Sequence, residues 1–367
     1  MGGVTPARPI AGLQVTIHSM ERRPDPGQSA GGALHSPFGS LGSMDGESVD
    51  ICIVGAGFAG LHLARLLDGS GLGCLLLDKG RSPGGRAATR RIGDARVDHG
   101  LPWLTAGGDL SRHLIDEFRG DGLVEPLDAG GSAGVAWASP AGLSSLMKHL
   151  ASARDIRLSS RVLSVSPEGD AVRLEIEDGE GPRQELTARH VVITAPVPQM
   201  VEMSTELAEA AGEGAAEAYD KAIVGLFRLV DDRGLPDRCL AERPADGISR
   251  AILESAKYPG RPPSASVRCD SSASDFLWEK TDDEIWDWMA ERLGSDPPFG
   301  TPMAERQVKR WRLSEAARPV DAPFLAVSAG SSTISACGDG FAAGGPTGVE
   351  NALRSAQALF DSGPWRA

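Results

Sequence analysis

Three glycines with the spacing of a phosphate-binding turn, Gly55, Gly57 and Gly60, directly follow an apolar run at 51–54. In such a turn the first glycine permits a tight bend, the second lets the backbone approach a pyrophosphate, and the third lets helix and strand pack closely. The N–H groups and positive dipole at the start of the following helix favour the same anion. The spacing therefore predicts that this segment binds a dinucleotide.

An acid and an arginine follow at distances that suit such a site. A second apolar run, 74–77, ends in Asp78, whose carboxylate can accept hydrogen bonds from the adenosine ribose hydroxyls. The pair Gly84-Gly85 comes soon afterwards and brings the backbone close to an anionic group. Arg86 directly follows that pair, so we expect it to bind the anion.

The elements that hold these residues can be read from the spacing of apolar positions. Residues 50–78 read as strand, turn, helix and strand, and amphipathic spacing predicts helices at 109–119, 142–150 and 282–293. Alternating or continuous apolar runs predict strands, at 122–138, 156–158, 162–165, 172–176, 191–193, 219–230, 324–327 and 334–337. The pattern predicts an α/β fold.

A second glycine-rich unit lies at the far end of the chain. Gly338-Asp339 follows an apolar run and precedes a glycine loop and a helix at about 347–360. A nicotinamide-binding Rossmann domain is usually complete within one contiguous half, so a unit built from both ends suits FAD better. We predict a tail without order at 1–48, an FAD domain at 49–120, 140–197 and 322–367, and a substrate domain at 121–139 and 198–321.

Composition excludes several classes of protein. The net charge of -13 argues against general nucleic-acid binding, and no apolar run approaches the length of a membrane span. The five cysteines form no CxxC pair, so we expect free thiols and a cytoplasmic location. Histidines and cysteines do not cluster at ligand spacing, and we expect no metal site.

At this point the sequence resembles the renalase-like branch of the FAD-dependent amine oxidase superfamily, over about residues 49–362. The cofactor motifs carry the resemblance to the superfamily, and they are the glycine turn at 51–60, Leu77-Asp78-Lys79-Gly80-Arg81 and Gly84-Gly85-Arg86-Ala87-Ala88-Thr89-Arg90. Three shorter motifs narrow it to the branch, and they are Val97-Asp98-His99-Gly100, Arg310-Trp311-Arg312, and Gly338-Asp339 with Gly348-Val349-Glu350-Asn351-Ala352.

The resemblance implies a discontinuous Rossmann-type FAD-binding domain with an inserted α+β substrate domain, and FAD held without a covalent bond. Gly55, Gly57, Gly60 and Asp78 match its pyrophosphate and ribose positions, Arg86 and Asp339 its pyrophosphate and ribityl positions, and Val162 its adenine contact. Lys79, His99, Gly100 and Gly338 belong to the same expected cofactor site. The helix that starts at Gly348 and Val349 is expected to point at the flavin, where its N-terminus stabilises negative charge.

The resemblance also implies a reaction. Renalase-like enzymes oxidise dihydronicotinamide dinucleotide isomers and pass the electrons to molecular oxygen, which gives hydrogen peroxide. Hydride transfer depends mainly on positioning near the flavin. The chain departs from the family where Leu101-Pro102-Trp103-Leu104 follows Gly100, since the family commonly has Ala-Gln, an aromatic residue and Phe there.

Three residues are candidates for direct contact with the substrate. His99 either contacts the flavin or substrate or is a loop histidine satisfied by the backbone. Trp311 either lines the substrate pocket, with Arg310 or Arg312 pairing a substrate phosphate, or is the buried position of an ordinary strand. Trp103 or Trp311 can replace the tyrosine cage of monoamine oxidases, which is hard to build from only two tyrosines.

Alternative functions stay open on the same scaffold. The altered segment after Gly100 leaves room for an oxidase or dehydrogenase of an amine or a specialised small metabolite. A flavoprotein that binds FAD only for structure or assembly is an alternative of another class. An NAD-linked dehydrogenase is disfavoured by the C-terminal Gly338-Asp339 unit.

Overall fold

The computed structural model describes residues 14–16, 46–128, 135–178, 183–233, 235, 239–258, 260–294, 300–346 and 348–366. The strands are β1 (Gln14–Thr16), β2 (Glu47–Val54), β3 (Leu75–Leu77), β4 (Thr89–Ile92), β5 (Ala95–Asp98), β6 (Leu104–Thr105), β7 (Glu125–Asp128), β8 (Val135–Ala138), β9 (Asp155–Arg157), β10 (Ser160–Glu168), β11 (Ala171–Asp178), β12 (Gln184–Ile193), β13 (Tyr219–Leu229), β14 (Leu240–Ala245), β15 (Ile248–Leu253), β16 (Ser264–Cys269), β17 (Met303–Ala316), β18 (Leu325–Ala329) and β19 (Ser332–Ala336). The helices are α1 (Phe58–Gly69), α2 (Asp109–Gly120), α3 (Leu143–Ala151), α4 (Val197–Met203), α5 (Thr205–Ala211), α6 (Ser271–Phe276), α7 (Asp282–Leu293) and α8 (Val349–Ser362).

The larger sheet has a parallel centre that joins both ends of the chain. Its order is β1-β18-β19-β12-β2-β3-β9. In addition, β11 pairs with β12, and β10 pairs with β11. The strands β19, β12, β2, β3 and β9 pair in parallel. Parallel strands are covered on both faces, which explains why β3 and the ends of β2 and β12 are continuous apolar runs. The predicted α/β fold is confirmed.

Helices and a β-meander cover the two faces of this sheet. Ile51, Ile53 and Leu76 face the helices α1, α3 and α8 in one buried cluster. The alternate positions, such as Cys52 and Leu77, face β10, β11, α4 and α5 in a second cluster. The helix α1 packs against α8, so the first glycine unit and the C-terminal unit share one core.

The second sheet is antiparallel and has the order β14-β15-β16-β13-β17. One of its faces packs on α6 and α7, where Ile223, Phe227 and Val267 meet Trp286 and Met289. The helix at 282–293 is confirmed, and its acidic first turn forms a capping box between Thr281 and Glu284. The opposite face of this sheet looks toward the dinucleotide unit and contributes to the candidate site below.

The structure differs from the sequence prediction at the predicted tail and at one domain boundary. The segments Gln14–Thr16 and Glu47–Val54 are strands, which pair with β18 and β12 although both begin within the predicted tail at 1–48. Within the predicted tail, only residues 14–16 and 46–48 are among the described residues. The predicted boundary at 121 cuts a small sheet, because β6 and β7 both pair with β8. Which distant strands pair with each other cannot be read from the local composition of the sequence.

The part of the chain that the structure describes contains no helix long and apolar enough to cross a membrane.

Candidate cofactor and substrate site

The glycine turn between β2 and α1 has the geometry expected from its sequence. Gly55 has a φ of 113°, a conformation that side chains with a Cβ rarely adopt, and its N–H donates to Leu77 at 2.8 Å. A Cβ at Gly60 would lie only 2.0 Å from the carbonyl oxygen of Gly55. The first and third glycines are therefore needed for the fold itself.

Gly57 differs from its two neighbours because the space beside it is open. No atom lies within 4 Å of the position that a Cβ would take there. Gly57 is the N-cap of α1 and makes no side-chain cap, so the first N–H groups of the helix remain available. The open space and the helix N-terminus together form a place for a phosphate group.

Asp78 is fixed by backbone groups on both sides of the turn. One carboxylate oxygen accepts from the Ala56 N–H and the other from the Gly80 N–H, both at 2.7 Å. A carboxylate has about four acceptor positions, so two remain for hydroxyl donors. The structure thus fixes the orientation of Asp78 and leaves acceptor positions for hydroxyl donors.

A cavity of about 470 Å³ begins next to Asp78. It is lined by Lys79, Ser159, Arg161 and Glu177, and backbone bonds join Ser159 to Gly80 and Ser160 to Asp78. Val162, the predicted adenine contact, follows Arg161 on β10 and is buried, and the pairing of β10 with β11 is irregular just after it. The predicted ribose and adenine residues are therefore neighbours.

Arg86 and Asp339 form the central ion pair of the site. Two hydrogen bonds of 2.7 and 2.6 Å join the guanidinium to the carboxylate, and Arg86 also donates to the Ser314 carbonyl at 3.3 Å. Burial alone would lower the pKa of Arg86, but Asp339 outweighs it and raises the pKa above its usual value. The pair joins the N-terminal motif to the C-terminal one.

Tyr219, which the sequence did not single out, completes this ion pair. Its hydroxyl donates to Asp339 at 3.0 Å, and the guanidinium of Arg86 lies 5.5 Å from its ring centre. Burial and the nearby carboxylate raise the pKa of Tyr219, so the phenol stays protonated. Nothing in the local sequence marks Tyr219, because it reaches the site from the first strand of the second sheet.

The C-terminal unit presents a second open helix N-terminus. The Gly338 N–H donates to the Ser355 hydroxyl at 2.9 Å, and Asn351 donates to the Asp339 carbonyl at 3.1 Å, so α8 holds the loop that carries Asp339. Gly348 is the N-cap of α8, makes no side-chain cap and has open space at its Cβ position. Val349 is the first residue of the helix.

His99, which follows β5, stacks against Trp311 on β17. Their rings are stacked with centres 5.3 Å apart, and the indole N–H of Trp311 donates to the His99 carbonyl at 2.9 Å. The buried Nδ1 of His99 has no partner among the described residues. Burial and the nearby Lys309 lower the pKa of His99 to about 4, so the ring is neutral at pH 7.

Gly100 lies at the point where the loop after β5 crosses the loop that carries Arg86. A Cβ at Gly100 would lie 2.0 Å from the carbonyl oxygen of Arg86 and 3.4 Å from the Trp311 ring. The neighbouring N–H of Leu101 donates to the same carbonyl at 2.9 Å. The close approach links the His99–Trp311 stack to the ion pair of Arg86.

Trp103, the third predicted catalytic residue, lies in a different environment. It is 7% exposed and belongs to a hydrophobic cluster with Leu127, Cys239, Ile252 and Tyr258. This packing favours a structural role over the predicted catalytic one. The segment Leu101-Pro102-Trp103, which departs from the family pattern, leads the chain into this hydrophobic cluster.

The arginines beside Trp311 also face away from the stack. Arg310 pairs with Asp282 at 2.7 Å and donates to the Lys280 carbonyl, while Arg312 pairs with Glu202 at 3.1 Å. Side chains alternate between the two faces of a strand, so neighbours of an inward-facing tryptophan point outward. The predicted use of these arginines at a substrate phosphate is not supported.

A buried charge cluster, also absent from the sequence prediction, fixes the loop of His99. Lys257 binds Glu254 at 2.7 Å, Asp98 at 3.1 Å and the Pro102 carbonyl at 2.8 Å. Asp98 also accepts from Thr89 at 2.6 Å. The three ionisable side chains, Asp98, Glu254 and Lys257, are at most 1% exposed, so this network rigidly connects the second sheet to the dinucleotide unit.

These groups fit an extended dinucleotide that carries a flavin. The open space at Gly57 suits a pyrophosphate, Asp78 suits a ribose, and the start of α8 at Gly348 suits the electron-rich edge of a flavin ring. The His99–Trp311 stack lies where the loop after β5 meets the second sheet, and Gly100 brings it beside the loop of Arg86.

Comparison with known proteins agrees with this geometry. A model described as NAD(P)-binding Rossmann-like domain matches residues 53–118, and one described as flavin containing amine oxidoreductase matches residues 121–358. A putative protoporphyrinogen oxidase from Exiguobacterium sp. has a similar structure, with a TM-score of 0.59, 13% identity, and 89% of this chain and 100% of that chain covered. A double mutant of putrescine oxidase has a TM-score of 0.58 at 12% identity, covering 86% of this chain and 99% of that chain.

Wild-type putrescine oxidase bound to putrescine is similar at a TM-score of 0.58 and 11% identity, with 86% of this chain and 98% of that chain covered. These structural likenesses show the fold. The family model covers more than half of the sequence, and this decides the family. The chain belongs to the flavin containing amine oxidoreductase family and is an oxidoreductase of that family's fold.

Proposed function

We propose that the protein is a renalase-like FAD-dependent oxidase whose substrates are dihydronicotinamide dinucleotide isomers. When bound, FAD accepts the hydride of the substrate and then, with a proton, passes both electrons to molecular oxygen to give hydrogen peroxide. The substrate is a small molecule, and the proposal involves no nucleic acid and no membrane.

The positions of the two tyrosines favour a hydride-donating dinucleotide over an amine as the substrate. Tyr219 donates to Asp339, and Tyr258 is buried and donates to the Ala138 carbonyl. The chain has only these two tyrosines, and both are engaged in these contacts. A tyrosine cage for an amine is therefore not available, whereas hydride transfer needs only a well-positioned ring.

The protein groups act by binding and orientation. In this proposal Gly57 and the start of α1 bind the pyrophosphate, Asp78 binds the ribose, and Arg86 with Asp339 holds the pyrophosphate and ribityl region. The start of α8 at Gly348 favours negative charge on the reduced ring. His99 is neutral at pH 7, so in this proposal it acts by its shape and by stacking on Trp311.

We also propose that the FAD is held without a covalent bond. The Cys337 thiol precedes the Gly338-Asp339 loop but is fully buried, and its burial raises its pKa to about 12. A thiol with so high a pKa is a poor nucleophile toward a flavin. All five cysteines are free thiols, which supports a reducing location such as the cytoplasm.

A second candidate function is the oxidation of an amine or a specialised small metabolite. The observation that favours it is the ammonium group of Lys309, which lies 5.5 Å from the centre of the Trp311 ring. A substrate ammonium group can take the place of Lys309 against this ring.

Anaerobic mixing separates these functions. The holoenzyme is mixed with isomeric dihydronicotinamide dinucleotides, ordinary NADH and an amine panel while the flavin absorbance is recorded. We expect rapid bleaching by the isomers alone and recovery of colour in air. Bleaching by an amine contradicts the proposal in favour of the second candidate. A flavin that no reductant bleaches indicates a non-catalytic role.

A further inference from the structure

Two arginines lie directly opposite each other on the face of the second sheet that looks toward His99. Arg250 on β15 and Arg268 on β16 are register partners in the antiparallel ladder. Both line a small cavity together with Asp98, His99 and Gly100. Like charges in directly opposite positions destabilise a sheet, so this arrangement has an energetic cost.

The two arginines differ in their partners. Arg268 pairs with Glu315 at 2.7 Å and donates to the Ser314 hydroxyl at 3.0 Å. Arg250 donates only to the Gly100 carbonyl at 3.3 Å, and in the described ranges it has no carboxylate within salt-bridge distance. Burial and the neighbouring Arg268 lower the pKa of Arg250 to about 10. Arg250 is partly buried, and its charge lies beside that of another arginine.

The acids near Arg250 are already engaged by other cations, and the first of them, Glu315, pairs with Arg268. Asp98 and Glu254 both bind Lys257, and Glu254 also accepts from Ser266 at 3.1 Å. The phosphate-binding groups of the cofactor site, Gly57 and Arg86, lie on other elements. Arg250 therefore faces the cavity beside His99 without an ion pair of its own among the described residues.

We propose that Arg250, supported by Arg268, binds an anionic group of the substrate, either a carboxylate or a phosphate. The cavity measures about 10 Å³, which suits a single oxygen atom of that group while the rest of the substrate lies toward the stack. The proposal rests on the proposed function in that it assigns this cavity to the substrate. Arginine suits the role because its planar fork matches both oxyanions.

The test measures binding to the holoenzyme without turnover. Benzoate and its neutral analogue benzamide probe a carboxylate, while ADP-ribose and adenosine probe a phosphate, and each is titrated while the flavin absorbance is followed. The variants are Arg250→Met, Arg250→Lys and Arg268→Gln. The control is Arg233→Gln, because the Arg233 side chain is 87% exposed and pairs locally with Asp231.

We expect at least one anion to bind more tightly than its neutral analogue. Arg250→Met should then raise its Kd at least tenfold, Arg250→Lys and Arg268→Gln should raise it less, and Arg233→Gln should leave it unchanged. Dependence of ADP-ribose binding on Arg250 identifies a phosphate, and dependence of benzoate binding identifies a carboxylate. Equal Kd values for wild type and Arg250→Met with both anions overturn the proposal.

Thermal unfolding gives an independent readout. Because Arg250 forms no ion pair in the described ranges, Arg250→Met should leave the Tm close to that of wild type, whereas loss of a structural ion pair lowers it. A clearly lower Tm overturns the proposal. If anion binding depends on Arg250 but the dihydronicotinamide isomers do not reduce the flavin, the proposed function fails and the anion site stands.

Discussion

Arg86 and Asp339 are 253 positions apart in the chain, yet two hydrogen bonds of 2.7 and 2.6 Å join their side chains. Arg86 follows the first glycine unit, and Asp339 begins the last one. The cofactor site is therefore assembled only when both ends of the chain are in place, which matches the discontinuous FAD domain inferred from the sequence.

Replacing Arg86 with Ala should weaken FAD binding at least tenfold, because the substitution removes a cation and leaves Asp339 facing the cofactor phosphates unneutralised. FAD occupancy and the Kd for FAD measure the effect. Arg112→Ala is the control, since that side chain is 58% exposed and pairs only with Asp109. Equal FAD affinity in Arg86→Ala and wild type would show that the ion pair is purely structural.

The three glycines of the turn should respond differently to substitution. Gly57→Ala should fold normally and lose FAD affinity, because its Cβ enters open space where the pyrophosphate is expected. Gly60→Ala should lower the stability of the apoprotein itself, because its Cβ would lie 2.0 Å from the Gly55 carbonyl oxygen. Thermal unfolding without FAD and FAD titration separate the effects. Full FAD affinity in a folded Gly57→Ala would remove Gly57 from the site.

The buried charge cluster gives a prediction about stability. Lys257→Met should lower the free energy of unfolding by about 3–5 kcal/mol, since Asp98 and Glu254 lose the cation that compensates both of them. Urea unfolding measures the change, and Lys280→Met, which removes an exposed pair with Glu284, provides the matched control. A loss no larger than that of the control would mean that the acids are protonated in the fold.

Low pH should destabilise the protein through its buried histidines. Burial lowers the pKa values of His62, His99 and His190 to about 4 from 6.5. Above pH 6.5 these rings are neutral in both states, so they carry no penalty. As the pH falls from about 6.5 to 4 the unfolded chain gains protons that the folded one does not, and stability is lost.

His99→Gln tests this linkage at one position. Between about pH 6.5 and 4, each histidine lowers the free energy of unfolding by up to about 1.4 kcal/mol per pH unit. From pH 7 to pH 5, the free energy of unfolding of the variant should therefore fall by roughly 2 kcal/mol less than that of wild type, as measured by urea unfolding. Identical pH dependence of the two proteins would show that the pKa of His99 is the same in the folded and unfolded states.

The sequence predicted the local parts of the site and missed those that depend on strand pairing. The turn at Gly57 and the orientation of Asp78 follow from a contiguous strand, turn, helix and strand, so their geometry is present in the spacing. Tyr219 and Arg250 reach the site from the second sheet, and their positions depend on register between distant segments. Trp103 is a similar case, since its neighbours in the core come from β7, β8 and the second sheet.

The most direct test is to determine which cofactor the purified protein carries and whether that cofactor is covalently attached. The purified protein is denatured with acid, the released small molecules are separated by filtration, and their masses are determined. We expect FAD to appear in the filtrate in an amount equimolar with the protein, and no flavin to stay on the chain. A filtrate that contains NAD in place of FAD, or a flavin that remains attached to the protein, would contradict this expectation.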